Sequence, residues 1–515
     1  MNRKTALLWT AVALATGLGL ALLGGGPRHA TACAFEDAPT TYEGPEDRSL
    51  YRTAVDLAAF NMLAPGDPYF ALPPVEMGLR GSRTATTARA PAVLLKAIGW
   101  IESVLTQAAG DVPYQAIGPA LVSFDCGYGI MQVTSGMTSP SGERGYPSPQ
   151  QALIATHFAY NVARGALILV DKWNQAPEQR PIAGTDTGGD PAILENWYFA
   201  VWSYNGFTGP GANRSNHPMD PIYGSWPRVP YSCGPSNDGL GHNRGNYPYQ
   251  ELVFGCASRP PQLNGAYLWT PQPIDLPDLN DPRWSGPLAL ANFVYPYERM
   301  DIPTPRPPGM ARPTAVTTGT PGATPSGTPI EGEATASLTP TDTFTPTATT
   351  TATATPTASP PSVLGVAVPS AVGHRDTTPP PSPGLRASLF GSPFLSISST
   401  SVNLSFSQQT GGDSAKVMVS NTGSGILSWL AVPSAPWVIV SPMAGVAAGA
   451  DLVCGTDSPC QRSGAFTITL DPTRLRPGTW TATVTVFAPG VSQQKVITVT
   501  ARGVIRIGAP GVARN

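Results

Sequence analysis

A glutamate near the end of an apolar helical pattern is the residue best suited to acid–base chemistry. Glu102 follows Ile98 by four residues and Leu95 by seven, which places its carboxyl group at the edge of an apolar helical stripe. Burial there is expected to raise the pKa of the carboxyl group, and an acid that stays protonated near neutral pH can protonate a glycosidic oxygen. The alternative is a boundary glutamate that reaches solvent or pairs with Lys96 or Arg89.

Asp125 is a candidate second carboxylate, because it directly precedes a Gly-Tyr-Gly turn. If it faces the same groove as Glu102, it could position a water molecule for hydrolysis. The alternative is an aspartate that hydrogen-bonds within a tight turn. The five histidines show no metal-ligand spacing, so we expect neither a metal nor a cofactor.

Several short motifs occur in a fixed order around Glu102. They are IES at 101–103, GYGIMQVT at 127–134, Asn161 with Gly165, WSYNG at 202–206 and YPYQE at 247–251. Together they resemble the soluble lytic transglycosylase family over roughly 91–255. The resemblance is specific because the motifs keep their order, and it implies an α-helical, lysozyme-like catalytic domain.

The resemblance implies a reaction in which Glu102 is the lone acid and base. It would protonate the leaving oxygen of a β-1,4 bond between N-acetylmuramic acid and N-acetylglucosamine. As the base, it would then help the C6 hydroxyl of the N-acetylmuramic acid attack C1 of that sugar, giving a 1,6-anhydro product.

Six further residues receive supporting roles from the same resemblance. Ser103 is expected beside the cleaved sugar or orienting Glu102, and Tyr204 is expected to hydrogen-bond the Glu102 carboxyl group. Met131 and Gln132 are expected to line the groove, and Asn205 is expected to help hold the loop that carries Tyr204. Tyr128 is expected to bind substrate or to support the site. The chain departs from the family at Ser203, where an alanine is usual, and in a long Gly- and Pro-rich insertion between Gly206 and Tyr247.

Two alternatives to the transglycosylase remain open. With Asp125 in the groove, the same bond would be hydrolysed as in a lysozyme. The alternative outside the enzymes is a protein without catalytic activity that binds the cell wall or has a structural role. Such a protein has no need of Glu102.

Helical periods dominate the region that must position these residues. One helix is predicted from Pro91, a second from near Pro149 through Leu169, and a third around Ile193 to Tyr204. The inner face of the second helix is expected to carry Ile154, Phe158, Val162, Gly165 and Leu169.

The C-terminal part alternates apolar and polar residues, which predicts an all-β sandwich with turns at 421–423 and 477–478. The segments 421–425, 427–429 and 437–442 resemble the BACON-type immunoglobulin-like modules. Trp429 and Trp437 are expected in the core rather than on a sugar-binding surface. An adhesive or spacer role, or contact with a surface glycan, is expected for this module.

Composition places a non-globular stretch between these regions. The chain of 515 residues has 58 Pro, 54 Gly and only 12% charged residues, and Thr-Pro repeats fill 302–386. We therefore predict a multidomain protein with a signal peptide at 1–32, a catalytic domain at 33–301, a disordered linker at 302–386 that can hold the domains far apart, and a β domain at 387–515. A net charge of −2 argues against nucleic acid as a partner and leaves peptidoglycan strands as the expected one.

An apolar N-terminal run ending in Ala30-Thr31-Ala32 is typical of a secretory signal with cleavage after Ala32. An uncleaved anchor and a lipid-modified Cys33 are the alternatives. Export permits disulfides, and the expected pairs are 33–126, 233–256 and 454–460. The protein is therefore expected to be secreted or associated with the cell envelope.

Overall fold

The computed structural model describes residues 33–207, 215–234, 242–292, 299–306, 373–376, 378, 380, 390–407, 411–452 and 462–503. The predicted signal at 1–32 and the third cysteine pair lie outside these residues, as does most of the predicted linker. In the part described, an α-helical N-terminal region precedes a C-terminal β-sandwich, as the two periodicities predicted.

Helices form the framework of the N-terminal region. Their bounds are α1 Ser49–Ala59, α2 Ala92–Ser103, α3 Pro149–Thr156, α4 Phe158–Gln179, α5 Tyr198–Tyr204, α6 Tyr249–Ser258 and α7 Pro282–Ser285. Short strands join the loops between them: β1 Thr40–Tyr42, β2 Glu76–Met77, β3 Thr84–Ala85, β4 Ile117–Pro119, β5 Ile182–Ala183, β6 Gln262–Leu263, β7 Ala266–Tyr267 and β8 Asp301–Ile302. Two disulfides, Cys33–Cys126 and Cys233–Cys256, confirm the predicted pairs that fall in this region.

The predicted second helix is wrong in one respect, because the chain breaks it into α3 and α4 at His157. His157 has extended backbone angles (φ −122°, ψ 110°), and its Nδ1 accepts a hydrogen bond from the Ala159 amide as the N-cap of α4. Ile154 and Phe158 keep helical spacing across the break, so periodicity alone could not reveal it. No single helix among the described residues is long and apolar enough to cross a membrane; α3 and α4 reach that length only as a pair bent by 104°.

The sandwich consists of two sheets around one core. Its strands are β9 Leu395–Ile397, β10 Ser401–Ser407, β11 Gly411–Gly412, β12 Ser414–Asn421, β13 Ile426–Pro433, β14 Val438–Ser441, β15 Ala444–Ala448, β16 Gly464–Leu470, β17 Thr479–Ala488 and β18 Gln493–Gly503. One sheet has the order β11-β10-β18-β17-β13-β15 and the other β14-β16-β12-β9. All these pairs are antiparallel except β10 with β18, in which Val402 lies opposite Val499. Trp429 and Trp437 are buried, as predicted.

Strand β13 is buried on both faces. Leu427 and Trp429 belong to the sandwich core, whereas Ile426 and Leu430 join the core of the helical region. Thr156 at the end of α3 donates a hydrogen bond to the Ser428 hydroxyl oxygen at 3.0 Å. The helical region and the sandwich therefore share one compact unit rather than standing far apart, which differs from the expectation drawn from the linker.

Both described flanks of the Thr/Pro-rich segment bind to the helical region. Strand β8 pairs with β5, so Ile302 lies in a strand rather than in a linker. Arg375 forms a β-bridge with Ile193, and Asp376 accepts a hydrogen bond from the Ala92 amide at the start of α2, at 3.3 Å. These contacts correct the predicted linker at both ends, since residues 302–306 and 373–376 are parts of the folded unit.

Candidate active site

Helix α2 presents Glu102 one residue before its C-terminal end. The helix ends because Val104 and Leu105 adopt left-handed backbone angles, with φ 59° and 50°, and their amides bond back to Trp100 and Gly99. Left-handed angles are costly for a β-branched residue such as Val104, and the fully buried Leu105 side chain helps to hold them. The carboxyl group thus lies at the negative end of a helix dipole, where a carboxylate is disfavoured.

The 127–134 turn packs between α2 and α4 because two glycines leave room for it. A Cβ atom on Gly165 would lie 2.6 Å from Cβ and Cγ of Met131, and one on Gly99 would lie 3.2 Å from Cγ2 of Ile130. The close approach brings the turn to the end of α2 that carries Glu102.

Polar side chains fix the backbone of this turn. Asn161 accepts a hydrogen bond from the Met131 amide at 2.9 Å and donates one to the Tyr128 carbonyl at 2.6 Å. The Tyr204 hydroxyl donates to the Met131 carbonyl at 2.9 Å, and the Ser103 hydroxyl lies 2.9 Å from the Ile130 carbonyl. The turn is therefore tied to α2, α4 and α5.

Tyr249 on α6 is the hydrogen-bond partner of Glu102. Its hydroxyl donates to Oε1 of Glu102 at 2.5 Å. Burial raises the pKa of the Glu102 carboxyl group to about 7, although the Tyr249 hydroxyl and the positive charge of Arg244 both lower it. The negative charge of Asp125 raises this pKa further. The group can therefore exist in both protonation states near neutral pH.

Glu102 differs from the fully buried glutamates in its partner. The others pair with a cation or an imidazole: Glu43 with Arg48, Glu251 with Arg228 and Glu195 with His374. Among the described residues Glu102 forms no ion pair, and its carboxyl group bonds to a neutral hydroxyl. A half-buried acid without a neutralising partner is suited to exchange a proton with a substrate.

The predicted groove lining by Met131 is wrong, and Ser103 does not orient Glu102 through a hydrogen bond. Met131 is fully buried against Gly165, and Tyr128 is buried against the Phe35 ring, so neither side chain lines a groove. The Ser103 hydroxyl bonds to backbone carbonyl groups instead of Glu102. Met131 and Tyr128 therefore support the site from the core of the helical region.

The predicted contact between Tyr204 and Glu102 is also wrong, because the hydroxyl of Tyr204 bonds to Met131 and Tyr249 takes the predicted role. Tyr204 nevertheless lies near enough for the Glu102 charge to contribute to the raised pKa of its hydroxyl, after burial. Gln132 is half-buried and donates to the Gly129 carbonyl at 2.9 Å, and Asn205 accepts from the Asn216 amide at 3.1 Å.

Asp125 and Arg244 are the exposed charges that act on Glu102. Asp125 accepts a hydrogen bond from the Ser123 hydroxyl, as a turn residue does. The guanidinium of Arg244 donates to the Ile101 carbonyl, next in sequence to Glu102. Sequence reasoning missed Arg244 because it lies in the insertion, outside every family motif. Tyr249 lies in the 247–251 motif, but the resemblance implied no role for it.

Two further features lie apart from Glu102. Ligand atoms of Glu195, Asp275 and His374 lie within 4.8 Å of one another, but Glu195 and His374 already bond to each other. A cavity of about 840 Å³ lies where the sandwich meets the helical region, and its lining includes His157, Tyr160 and Phe390. Neither includes a residue of the predicted site.

Comparisons with known proteins leave the chain without an assigned family. No family model matches it, and no curated protein does. Among solved structures, similarity extends to the periplasmic chaperone SfaE, with 11% identity over 23% of this chain and a TM-score of 0.17. The chain spans 62% of the length of that chaperone chain.

Two further structures are similar at the same level. The YadV chaperone is 15% identical, over 22% of this chain and 55% of its own, with a TM-score of 0.17. The CooA pilin subunit from enterotoxigenic Escherichia coli is 14% identical, over 22% of this chain and 100% of its own, with a TM-score of 0.15. Similarities of this size carry no inference about function.

Proposed function

We propose that the protein is an exported enzyme that cleaves peptidoglycan by a lytic transglycosylase reaction. The observation that carries the proposal is Glu102, a half-buried acid with a pKa of about 7 whose carboxyl group is held by the Tyr249 hydroxyl. The ordered motifs around it support a lysozyme-like helical domain, and the alternating strands of the sandwich support an immunoglobulin-like accessory module.

The reaction uses the Glu102 carboxyl group twice, first as the acid and then as the base. Protonated Glu102 donates its proton to the glycosidic oxygen as the bond to C1 breaks, and the leaving sugar departs with that proton. The resulting carboxylate accepts the proton of the C6 hydroxyl as its oxygen bonds to C1, which restores the acid. The Tyr249 hydroxyl stabilises the carboxylate between these two steps, because a hydrogen bond to an ionised acceptor is stronger than one to a neutral group.

A hydrolase acting on the same bond is the second candidate, and it rests on Asp125. This exposed carboxylate is near enough to Glu102 to raise its pKa, so it could position a water molecule to attack C1. In that case water replaces the C6 hydroxyl, and the product carries an ordinary reducing end.

The proposed location outside the cytoplasm rests on the signal-like N-terminus and the two disulfides. Because Sγ of Cys33 is bonded to Cys126, the same sulfur cannot carry a thioether-linked lipid, and this argues against the anchored alternative. Peptidoglycan strands remain the proposed partner. Because Trp429 and Trp437 are buried, a surface glycan would have to bind to other residues of the sandwich.

Release of soluble fragments from purified peptidoglycan tests the proposal. We expect Glu102→Gln to lower the rate by about 100- to 10,000-fold, because it removes the acid and keeps an acceptor for Tyr249. Glu178→Gln, at an exposed glutamate near the end of α4, is the matched control and should retain the wild-type rate. Wild-type protein that binds the polymer without releasing fragments would instead support the non-catalytic alternative.

A further inference from the structure

Arg244 places its guanidinium group at the end of α2 that carries Glu102. Its Nη2 donates to the Ile101 carbonyl at the C-terminal end of α2, and the side chain is exposed. No carboxylate lies within ion-pair distance of Arg244 among the described residues. The Ile101 carbonyl is the acceptor that this guanidinium has among the described residues, so its remaining N–H groups are available to a ligand at the site.

The backbone around Arg244 is held on both sides. The Asn243 side chain accepts a hydrogen bond from the Gly245 amide at 2.8 Å, which forms the tight turn that carries Arg244. Buried Tyr247 then packs against Tyr231, with ring centres 5.2 Å apart. The Cys233–Cys256 disulfide ties this part of the insertion to α6, the helix that holds Tyr249.

The position of Arg244 is unfavourable for the acid itself. A positive charge near Glu102 favours its ionised form and so works against proton donation. The need to keep Glu102 protonated therefore does not explain why Arg244 lies near it. A guanidinium binds carboxylates well, because its N–H groups form a planar fork that matches two carboxylate oxygens.

We propose that Arg244 is a specificity-determining residue that binds a carboxylate on the muramyl side of the substrate. The inference rests on the proposed function and extends it. N-acetylmuramic acid differs from N-acetylglucosamine by a lactyl ether, whose carboxyl group is free on peptide-free strands. On substituted strands that group is in an amide bond, and the stem peptide supplies the carboxylates instead.

Binding to a catalytically inactive background tests this inference without turnover. Titration calorimetry compares Glu102→Gln with the double variant Glu102→Gln/Arg244→Gln, using glycan strands freed of stem peptides, the same strands after methylamidation of their carboxylates, and strands with peptides. We expect Arg244→Gln to weaken binding to a carboxylate-bearing preparation by about 10- to 100-fold and to leave binding to the methylamidated strands within about two-fold.

The two carboxylate-bearing preparations identify the source of the carboxylate. Loss on peptide-free strands assigns the lactyl group, and loss only on substituted strands assigns the stem peptide. Arg259→Gln is the matched control, since Arg259 is also exposed and also donates to a backbone carbonyl, that of Pro230 at 3.2 Å. It should leave all affinities unchanged.

The outcomes separate this inference from the proposed function. Equal affinities with and without Arg244, or equal loss on all three preparations, would overturn the specificity role and leave the proposed cleavage intact. Failure of the Glu102→Gln protein to bind any strand would contradict both. The cleavage activity of the single variant Arg244→Gln should extend to higher pH than that of wild type. This result would show that the variant is folded with an intact acid.

Discussion

Glu102 combines features that pull its pKa in opposite directions. Its position at the edge of an apolar helix was readable from residue spacing, and burial is the largest cause of its raised pKa. Its partner Tyr249 was not readable in this way, because 147 residues separate the two and only the fold brings them together. The direction of a side chain was equally impossible to read from the sequence. The motif that contains Met131 favoured a groove lining, yet the Met131 side chain is buried in the core.

The pH dependence of cleavage follows from the groups around Glu102. As the acid must be protonated, activity is expected to fall as pH rises through about 7. Tyr249→Phe removes a hydrogen bond that lowers the pKa of Glu102, so its alkaline limit should move to higher pH. Asp125→Asn removes a charge that raises this pKa, so its limit should move to lower pH. Initial rates from pH 4 to 10 measure both, and identical limits in all three proteins would contradict the assignment.

The raised pKa also predicts a stability difference that depends on pH. The folded protein holds the Glu102 proton more tightly than the unfolded chain, so stability is lost as pH rises from about 4.5 to about 7. Glu102→Gln has no such loss. Its free energy of unfolding should match wild type near pH 4 and exceed it by up to about 3 kcal/mol near pH 8. Urea unfolding at both pH values measures this, and a difference independent of pH would contradict it.

At the scale of elements, the site depends on how closely the 127–134 turn approaches α4. The helical spacing of the apolar residues predicted the start of α2 correctly, but the apolar stripe continues to Leu105, beyond the end of the helix at Ser103. The spacing failed at His157, because the N-cap of α4 and the hydrogen bond from Thr156 to Ser428 are contacts that periodicity does not encode.

Gly165→Ala tests the close packing of the turn on α4. The new methyl group would overlap Met131, so we expect a loss of about 1 to 3 kcal/mol in the free energy of unfolding and a lower cleavage rate. Gly110→Ala is the matched control, because no atom lies within 4 Å of its added Cβ. Equal thermal unfolding of both variants would show that the turn does not depend on this contact.

At the scale of the whole molecule, the sandwich shares a core with the helical region that carries the site. The sequence contained a signal for this: 426–433, ILSWLAVP, is an almost continuous apolar run, which is typical of a strand buried on both faces. The Thr/Pro-rich composition of the preceding segment favoured separate domains instead. The composition of this segment does not determine where the folded residues on either side of it pack.

Leu430→Ala tests the shared core. Leu430 is 1% exposed and packs in the core of the helical region, so its truncation should cost about 2 to 5 kcal/mol and increase amide exchange in α3. Ile439→Ala, at a position 47% exposed on the same sandwich, should change neither. Hydrogen exchange measured by mass spectrometry decides between them, and unchanged protection of α3 in Leu430→Ala would mean that the two regions are energetically independent.

The mass of the released fragments tests the central claim most directly. Peptidoglycan digested with wild-type protein should give muramyl ends that lack one water relative to reducing ends, because the C6 hydroxyl of the sugar completes the reaction at Glu102. Glu102→Gln should give almost none of these anhydro ends. Reducing ends alone would contradict the transglycosylase reaction in favour of the hydrolase, and equal yields from wild type and Glu102→Gln would contradict the role of Glu102 itself.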